Sequence, residues 1–196
     1  MTIRQKFLKN VYPLFSIYKK LFGNGSKILA NKENIRPAES FYTLSVRLIN
    51  GQELKFDELI GKKVLLVNTA SNCGFTAQYR DLERLYENKK DKLIVVGFPA
   101  NDFKEQEKGS DEEIAQFCAS SFGITFPLAK KNCVVKGPKQ QDVYKWLTNR
   151  EKNGWNSYQP SWNFAKYLVN EQGVLINYFG PGVLPLGKEI KQAIDE

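Results

Sequence analysis

Two short runs, Val64-Leu65-Leu66-Val67 and Leu93-Ile94-Val95-Val96, are apolar at every position. A strand with one face in water alternates apolar and polar residues, so an unbroken run implies a strand covered on both faces. Between them, after Cys73-Gly74-Phe75, Tyr79, Leu82, Leu85 and Tyr86 put an apolar stripe along one helical face. Strand, helix and strand in that order predict two parallel neighbours joined by a right-handed crossover. The first strand reads as Lys63 to Thr69 and the second ends at Phe98-Pro99. Their carboxyl ends therefore open side by side, where open α/β sheets usually place their chemistry.

The other elements fall around that unit. Ser45 to Ile49 and Gln52 to Phe56 flank Asn50-Gly51, a strong hairpin signal. Ser110-Asp111-Glu112-Glu113 is a capping box opening a helix with Ile114, Phe117 and Cys118 on one face. Lys131 to Val135 reads as a short strand, Gln140 to Asn149 as a helix, and Gly154 to Pro160 as a loop. Phe164 to Val169 and Val174 to Phe179 read as strands joined through Asn170-Glu171-Gln172-Gly173, and Leu186 to Ile194 as a closing helix. The expected class is α/β, a thioredoxin-like fold with a mixed central sheet and an additional N-terminal β-hairpin.

Residues 1–38 read as an amphipathic extension and linker, ahead of a compact domain expected at 39–196. Apolar positions from Ile3 to Phe22 recur at roughly helical spacing among Arg4, Lys6, Lys9, Lys19 and Lys20. The apolar stretch between Lys9 and Lys19 is too short to span a bilayer, and Lys9 interrupts what a signal peptide would need as its apolar core. Three readings stay open for residues 3–22: a helix packed on the domain, an interfacial helix making peripheral membrane contact, or an uncleaved anchor. A cytoplasmic chain is expected, membrane-associated if the second or third reading holds.

The 196 residues carry a formal charge of +8, but their lysines and arginines are scattered among acids. With no nucleic-acid module in the chain, the charge does not point to nucleic acid. Three cysteines are too few for a disulfide scaffold, and their spacing matches no zinc pattern. There is no histidine, which removes the commonest general base, the Cys–His dyad and the usual metal ligand. Neither metal nor cofactor is expected. Cys73, at the junction of a buried strand and a helix, is either a small core residue or a thiolate favoured by the N–H groups of the helix start. A free thiol has a pKa of about 8.5, and lowering it by about two units takes about 3 kcal/mol of differential stabilisation.

Three blocks carry a resemblance. Asn68-Thr69-Ala70-Ser71-Asn72-Cys73-Gly74-Phe75-Thr76, Phe98-Pro99-Ala100-Asn101 with Gln106-Glu107, and Trp162-Asn163-Phe164 resemble the signature blocks of the glutathione peroxidase family, in its order and spacing. The resemblance covers about residues 40 to 196. It implies a catalytic tetrad of Cys73, Gln106, Trp162 and Asn163, with Cys73 where the family carries selenocysteine or its peroxide-reactive cysteine. The indole N–H and the two amides would then stabilise the thiolate without a titrating group and stabilise the departing oxygen. It further implies attack on a hydroperoxide, a sulfenic acid at Cys73, resolution by Cys118, and reduction of a Cys73–Cys118 disulfide by a thioredoxin-type partner rather than glutathione. The segment from Trp146 to Trp162 lacks the insertion that tetrameric members use for assembly, which implies a monomer. Ala100, Asp102, Lys104 and Lys108 depart from the family's usual cysteine, Gln, Gly and Pro. Cys133 reads as a strand residue without chemistry.

Other activities of thioredoxin-like proteins fit less well. A dithiol oxidoreductase needs Cys-x-x-Cys, and Thr76 stands at the fourth position. A typical peroxiredoxin places Thr or Ser where Ala70 stands, and a copper carrier of this fold needs histidine. The alternative from another class is a redox sensor that relays oxidation to a partner through mixed disulfides.

Overall fold

A computed structural model describes residues 27–196. The amphipathic stretch at 3–22 lies outside them. Among the described residues no helix is long and apolar enough to cross a membrane.

The centre is a five-stranded mixed sheet in the order β1 (Ile28–Ala30), β7 (Leu175–Phe179), β6 (Lys166–Val169), β4 (Lys63–Thr69), β5 (Leu93–Pro99). The two apolar runs are its β4 and β5, parallel and in register from Lys63↔Leu93 to Thr69↔Pro99. Helix α1 (Gln78–Lys89) makes the crossover between them. β6 runs antiparallel to β4, and β7 antiparallel to β6. Both faces are covered, as the unbroken runs require. Leu65 and Val67 pack with Tyr79, Leu82, Ile114, Cys118 and Ile190. Val64 and Leu66 face Phe98, Tyr144, Trp146, Tyr167 and Tyr178.

The remaining helices are α2 (Asp111–Phe122), α3 (Asp142–Leu147), α4 (Arg150–Asn153) and α5 (Lys188–Asp195). The capping box opens α2 as expected: Ser110 Oγ accepts from the Glu113 N–H at 3.2 Å, and Glu113 Oε2 from the Ser110 N–H at 2.8 Å. The Asn50-Gly51 hairpin is a separate two-stranded sheet of β2 (Ser45–Arg47) and β3 (Glu53–Lys55). Gly51 takes φ +87°, a conformation glycine reaches without steric cost.

Two local expectations are corrected and one helix is trimmed. Lys131 to Val135 is not a strand, because the side chain of Asp102 takes the place of a ladder neighbour. Its Oδ2 accepts from the Val134 N–H at 2.9 Å, leaving one isolated bridge, Cys133↔Gln140. The helix expected over Gln140 to Asn149 forms over Asp142–Leu147, two residues shorter at each end, and Asn149 Oδ1 caps the separate short α4 beyond it by accepting from the Glu151 N–H at 2.9 Å. The sheet also gains β1 from the stretch read as extension and linker, paired with β7 from Ile28↔Phe179 to Ala30↔Asn177.

Candidate active site

Cys73 follows the carboxyl end of β4 in a run of turns, and α1 begins only at Gln78. The turns are tied down by Thr76. Its Oγ1 donates to the Ala70 carbonyl at 2.8 Å and accepts from the Cys73 N–H at 3.0 Å. The Phe75 N–H lies 3.4 Å from Cys73 Sγ, directed at it. One donor directed at the sulfur is thus a turn amide upstream of the helix proper. Cys73 is 1% exposed, and Cys73, Cys118 and Cys133 form no disulfide with one another.

The loop after β5 brings Gln106 to this turn. The Asn72 N–H donates to the Gln106 carbonyl at 3.1 Å, which fastens the two strand-end loops beside the sulfur. Asn163 Nδ2 in turn donates to Gln106 Oε1 at 3.0 Å. Asn163 is fully buried, and its own Oδ1 has no hydrogen-bond partner among the described residues.

The third block is held by a backbone device absent from the sequence reading. Phe164 takes φ +67°, a conformation that is unusual for a bulky residue and carries strain. Its N–H donates to the Asn68 carbonyl, and its ring packs edge-on against Tyr79 at 5.4 Å between centroids. Asn68 closes the connection, Nδ2 donating to the Trp162 carbonyl at 3.1 Å and Oδ1 accepting from the Ala165 N–H at 3.1 Å. Asn68 is thereby a structural strut of the site, a role that its residue type does not reveal. Trp162 is half-buried, 5.6 Å from the Phe103 ring, with Lys104 Nζ 5.8 Å from its own ring centre.

Of the expected residues, Gln106 and Asn163 are bonded to each other, and Gln106 to the Cys73 turn. Trp162 is fixed next to Asn163 by the bond to Asn68. Cys118 stands apart from that network. It is buried on the inner face of α2, in the same apolar cluster as Cys73. Burial pushes its thiol pKa up to about 12, offset in part by the Tyr79 hydroxyl and reinforced by the charge of Glu107. Cys133 differs again. Its Sγ donates to Asp102 Oδ1 at 2.9 Å, and partial burial together with that carboxylate raises its pKa. No metal-ligating cluster occurs among the described residues.

Comparison with known proteins identifies the family. The family model for glutathione peroxidase matches residues 41–148. The chain is 49% identical over 141 residues to "Glutathione peroxidase-like peroxiredoxin gpx1" of Schizosaccharomyces pombe, covering 71% of this chain and 87% of that protein. It is 41% identical over 160 residues to "Glutathione peroxidase-like peroxiredoxin 2" of Saccharomyces cerevisiae, covering 80% and 98%. Among solved structures, Trgpx in its apo form superposes with a TM-score of 0.61 at 34% identity, over 81% of this chain and 97% of that one. A DsbF homologue from Corynebacterium diphtheriae superposes at 0.62 with 17% identity, over 88% and 94%; at that identity the likeness bears on the thioredoxin-like fold alone. This chain belongs to the glutathione peroxidase family.

Proposed function

We propose that the chain is a thiol peroxidase in which Cys73 reduces hydrogen peroxide or an organic or lipid hydroperoxide. The Cys73 thiolate attacks the terminal peroxide oxygen. The O–O bond breaks, the leaving oxygen departs as water or an alcohol after taking a proton, and Cys73 is left as a sulfenic acid. The observation that carries this reading is the bond from Asn163 to Gln106, with Gln106 itself fastened to the Cys73 turn. With Oε1 engaged by Asn163, the Gln106 amide keeps its N–H groups for the sulfur and the departing oxygen. The buried, unpaired Asn163 Oδ1 is available to accept the O–H of a hydroperoxide.

Resolution falls to Cys118, followed by reduction through a thioredoxin-type partner. Cys118 belongs to the apolar cluster that contains Cys73, but its sulfur is buried and its thiol is held protonated. Part of α2 therefore opens before the disulfide closes. The chain works as a monomer in this scheme, and any membrane contact comes through residues 3–22. Membership of a family whose relatives are named for peroxidase activity favours catalysis over the sensor reading.

The test is peroxide-dependent oxidation of thioredoxin by the wild type, Cys73→Ser and Cys118→Ser. Cys73→Ser is expected to lose all turnover. Cys118→Ser is expected to lose only thioredoxin-linked turnover while still forming the sulfenic acid. Full activity in Cys73→Ser would end the proposal. For the N-terminal stretch, liposome flotation of the full chain against a chain beginning at Ala38 is decisive; equal behaviour removes the membrane contact.

A further inference from the structure

Glu107 follows Gln106 in the chain and takes no part in the chemistry described so far. Its side chain is 1% exposed, a degree of burial that carboxylates rarely show without a cationic partner. Here its partner is neutral: Ser71 Oγ donates to Oε2 at 3.1 Å. Among the described residues no lysine or arginine lies within ion-pair distance of it. Lys108 pairs instead with Glu105 at 2.7 Å, and Lys131 Nζ donates to the Gly109 carbonyl.

Glu107 also lies at a junction. Together with Ser71 and Asn72 of the Cys73 turn and Ile114 and Phe117 of α2 it lines a cavity of about 350 Å³. Ile114 and Cys118 are four residues apart on the buried face of α2, so they stack one turn apart. The carboxylate therefore sits where the loop of one cysteine meets the helix of the other, beside a space that a proton or water can use. Burial raises its pKa to about 7, with the Ser71 bonds and Lys131 working against that rise. Its charge is felt by Cys118 and by the Tyr79 hydroxyl. Lys108 and Glu113 also line the cavity; Lys108 is paired with Glu105, Glu113 caps Ser110, and Lys131, whose N–H donates to Asp111, acts on Glu107 by its charge.

We propose that Glu107 accepts the Cys118 proton during resolution and returns it to the departing hydroxide. The step starts from a Cys73 sulfenic acid, and thus rests on the reading of Cys118 as the resolving thiol. As α2 opens, Cys118 S–H passes its proton to the Glu107 carboxylate. The Cys118 thiolate attacks Cys73 Sγ, an S–S bond forms, and the S–O bond breaks with its electron pair on oxygen. That hydroxide takes the proton from Glu107 and leaves as water, regenerating the carboxylate. The only oxidant is the peroxide already consumed at Cys73.

The test is single turnover of the full-length protein with one equivalent of hydrogen peroxide, quenched at intervals from pH 5.5 to 8.5. Mass spectrometry then separates the trapped Cys73 sulfenic acid from the Cys73–Cys118 disulfide. In wild type, disulfide formation is expected to accelerate through an inflection near pH 7. Glu107→Gln keeps the shape but cannot take the proton. It is expected to lose the inflection and to slow the step by about 100-fold at pH 7.5, at the lower end of what a positioned base supplies. Glu107→Asp retains a titrating group on a shorter arm, and is expected to slow the step less and to shift the inflection. An inflection that is unmoved in either variant overturns the assignment, and Glu107→Asp alone decides it if Glu107→Gln does not fold. Equal slowing of Cys73 oxidation and of disulfide formation also overturns it, since that is the result of disturbed packing. Failure of the parent reading looks different: a disulfide at Cys73 that persists in Cys118→Ser.

Discussion

Asn163 Nδ2 donates to Gln106 Oε1 at 3.0 Å, joining side chains 57 positions apart in the chain. In the proposed reaction, this bond fixes which edge of the Gln106 amide is left for the sulfur and the departing oxygen. An acceptor already occupied by Asn163 cannot face the sulfur, so the donors can. Asn163→Asp replaces the donating NH₂ with an acceptor beside Gln106 Oε1 and puts a charge into a fully buried position. The Gln106 amide is then expected to turn, presenting oxygen to a thiolate. Losing an oriented charged-group hydrogen bond of about 1.5–3 kcal/mol slows Cys73 oxidation by about 10- to 150-fold. Stopped-flow measurement of the second-order rate with hydrogen peroxide checks this; a rate within twofold of wild type rejects it.

Opening of α2 gives a second prediction. The thiol pKa of Cys118, pushed up to about 12 by burial, leaves almost no thiolate in the closed helix at neutral pH. Resolution then draws on the small opened population. Ala119 is exposed on the same helix, and Ala119→Gly costs about 1 kcal/mol of helix stability without removing a buried contact. The opened population rises about fivefold, and disulfide formation accelerates by the same factor while Cys73 oxidation is unchanged. Time-resolved mass spectrometry of the quenched protein reads both steps. A slower or unchanged disulfide step would place the rate limit elsewhere.

How much of this was legible in the sequence follows from where each signal lies. The two apolar runs fixed β4 and β5, because only strands covered on both faces tolerate apolar residues at every position. The Ser110–Glu113 box likewise marked the start of α2 within a residue, since capping is local. β1 escaped notice because three residues with one inward side chain, Leu29, carry too little periodicity to read. The loss of the strand at Lys131 to Val135 and the separate start of α4 at Asn149 both come from polar side chains taking backbone partners. One of those, Asp102 to Val134, depends on residues brought together only by the fold. At the candidate site, the blocks singled out Cys73, Gln106, Trp162 and Asn163, of which the structure bonds Gln106 to Asn163 and to the Cys73 turn. The left-handed backbone of Phe164 and the burial of Glu107 were invisible, because neither is a property of residue type.

The burial of Glu107 has a consequence for stability that is separate from its proposed role. Its folded pKa of about 7 lies above the unfolded value of about 4.3. The folded state therefore binds the extra proton between those values, and stability from this group is greatest below about pH 4 and falls as pH rises to about 7. The full difference is on the order of 3 kcal/mol. Glu107→Gln removes the titration, so its advantage over wild type in urea is expected to grow from pH 4.5 to 7.5 and then level off. Midpoints measured across that range check the sign; a constant difference between the two proteins refutes it.

Lys104 offers the last prediction, because the resemblance places a glycine at its position. The backbone there keeps the left-handed conformation that favours glycine, with φ +51° at Lys104 and φ +50° at Glu105. A side chain in that region costs about 1 kcal/mol relative to glycine. Lys104→Gly is therefore expected to raise the stability of the folded protein by about 0.5–1 kcal/mol, less the unfolded-state entropy that glycine adds. Lys104→Ala removes the ammonium 5.8 Å from the Trp162 ring centre but keeps the strained backbone, and is not expected to gain stability. A higher urea midpoint for the Gly variant than for the Ala variant separates relief of backbone strain from loss of the cation. If the two variants shift together, the charge over Trp162 and not the backbone sets the cost at this position.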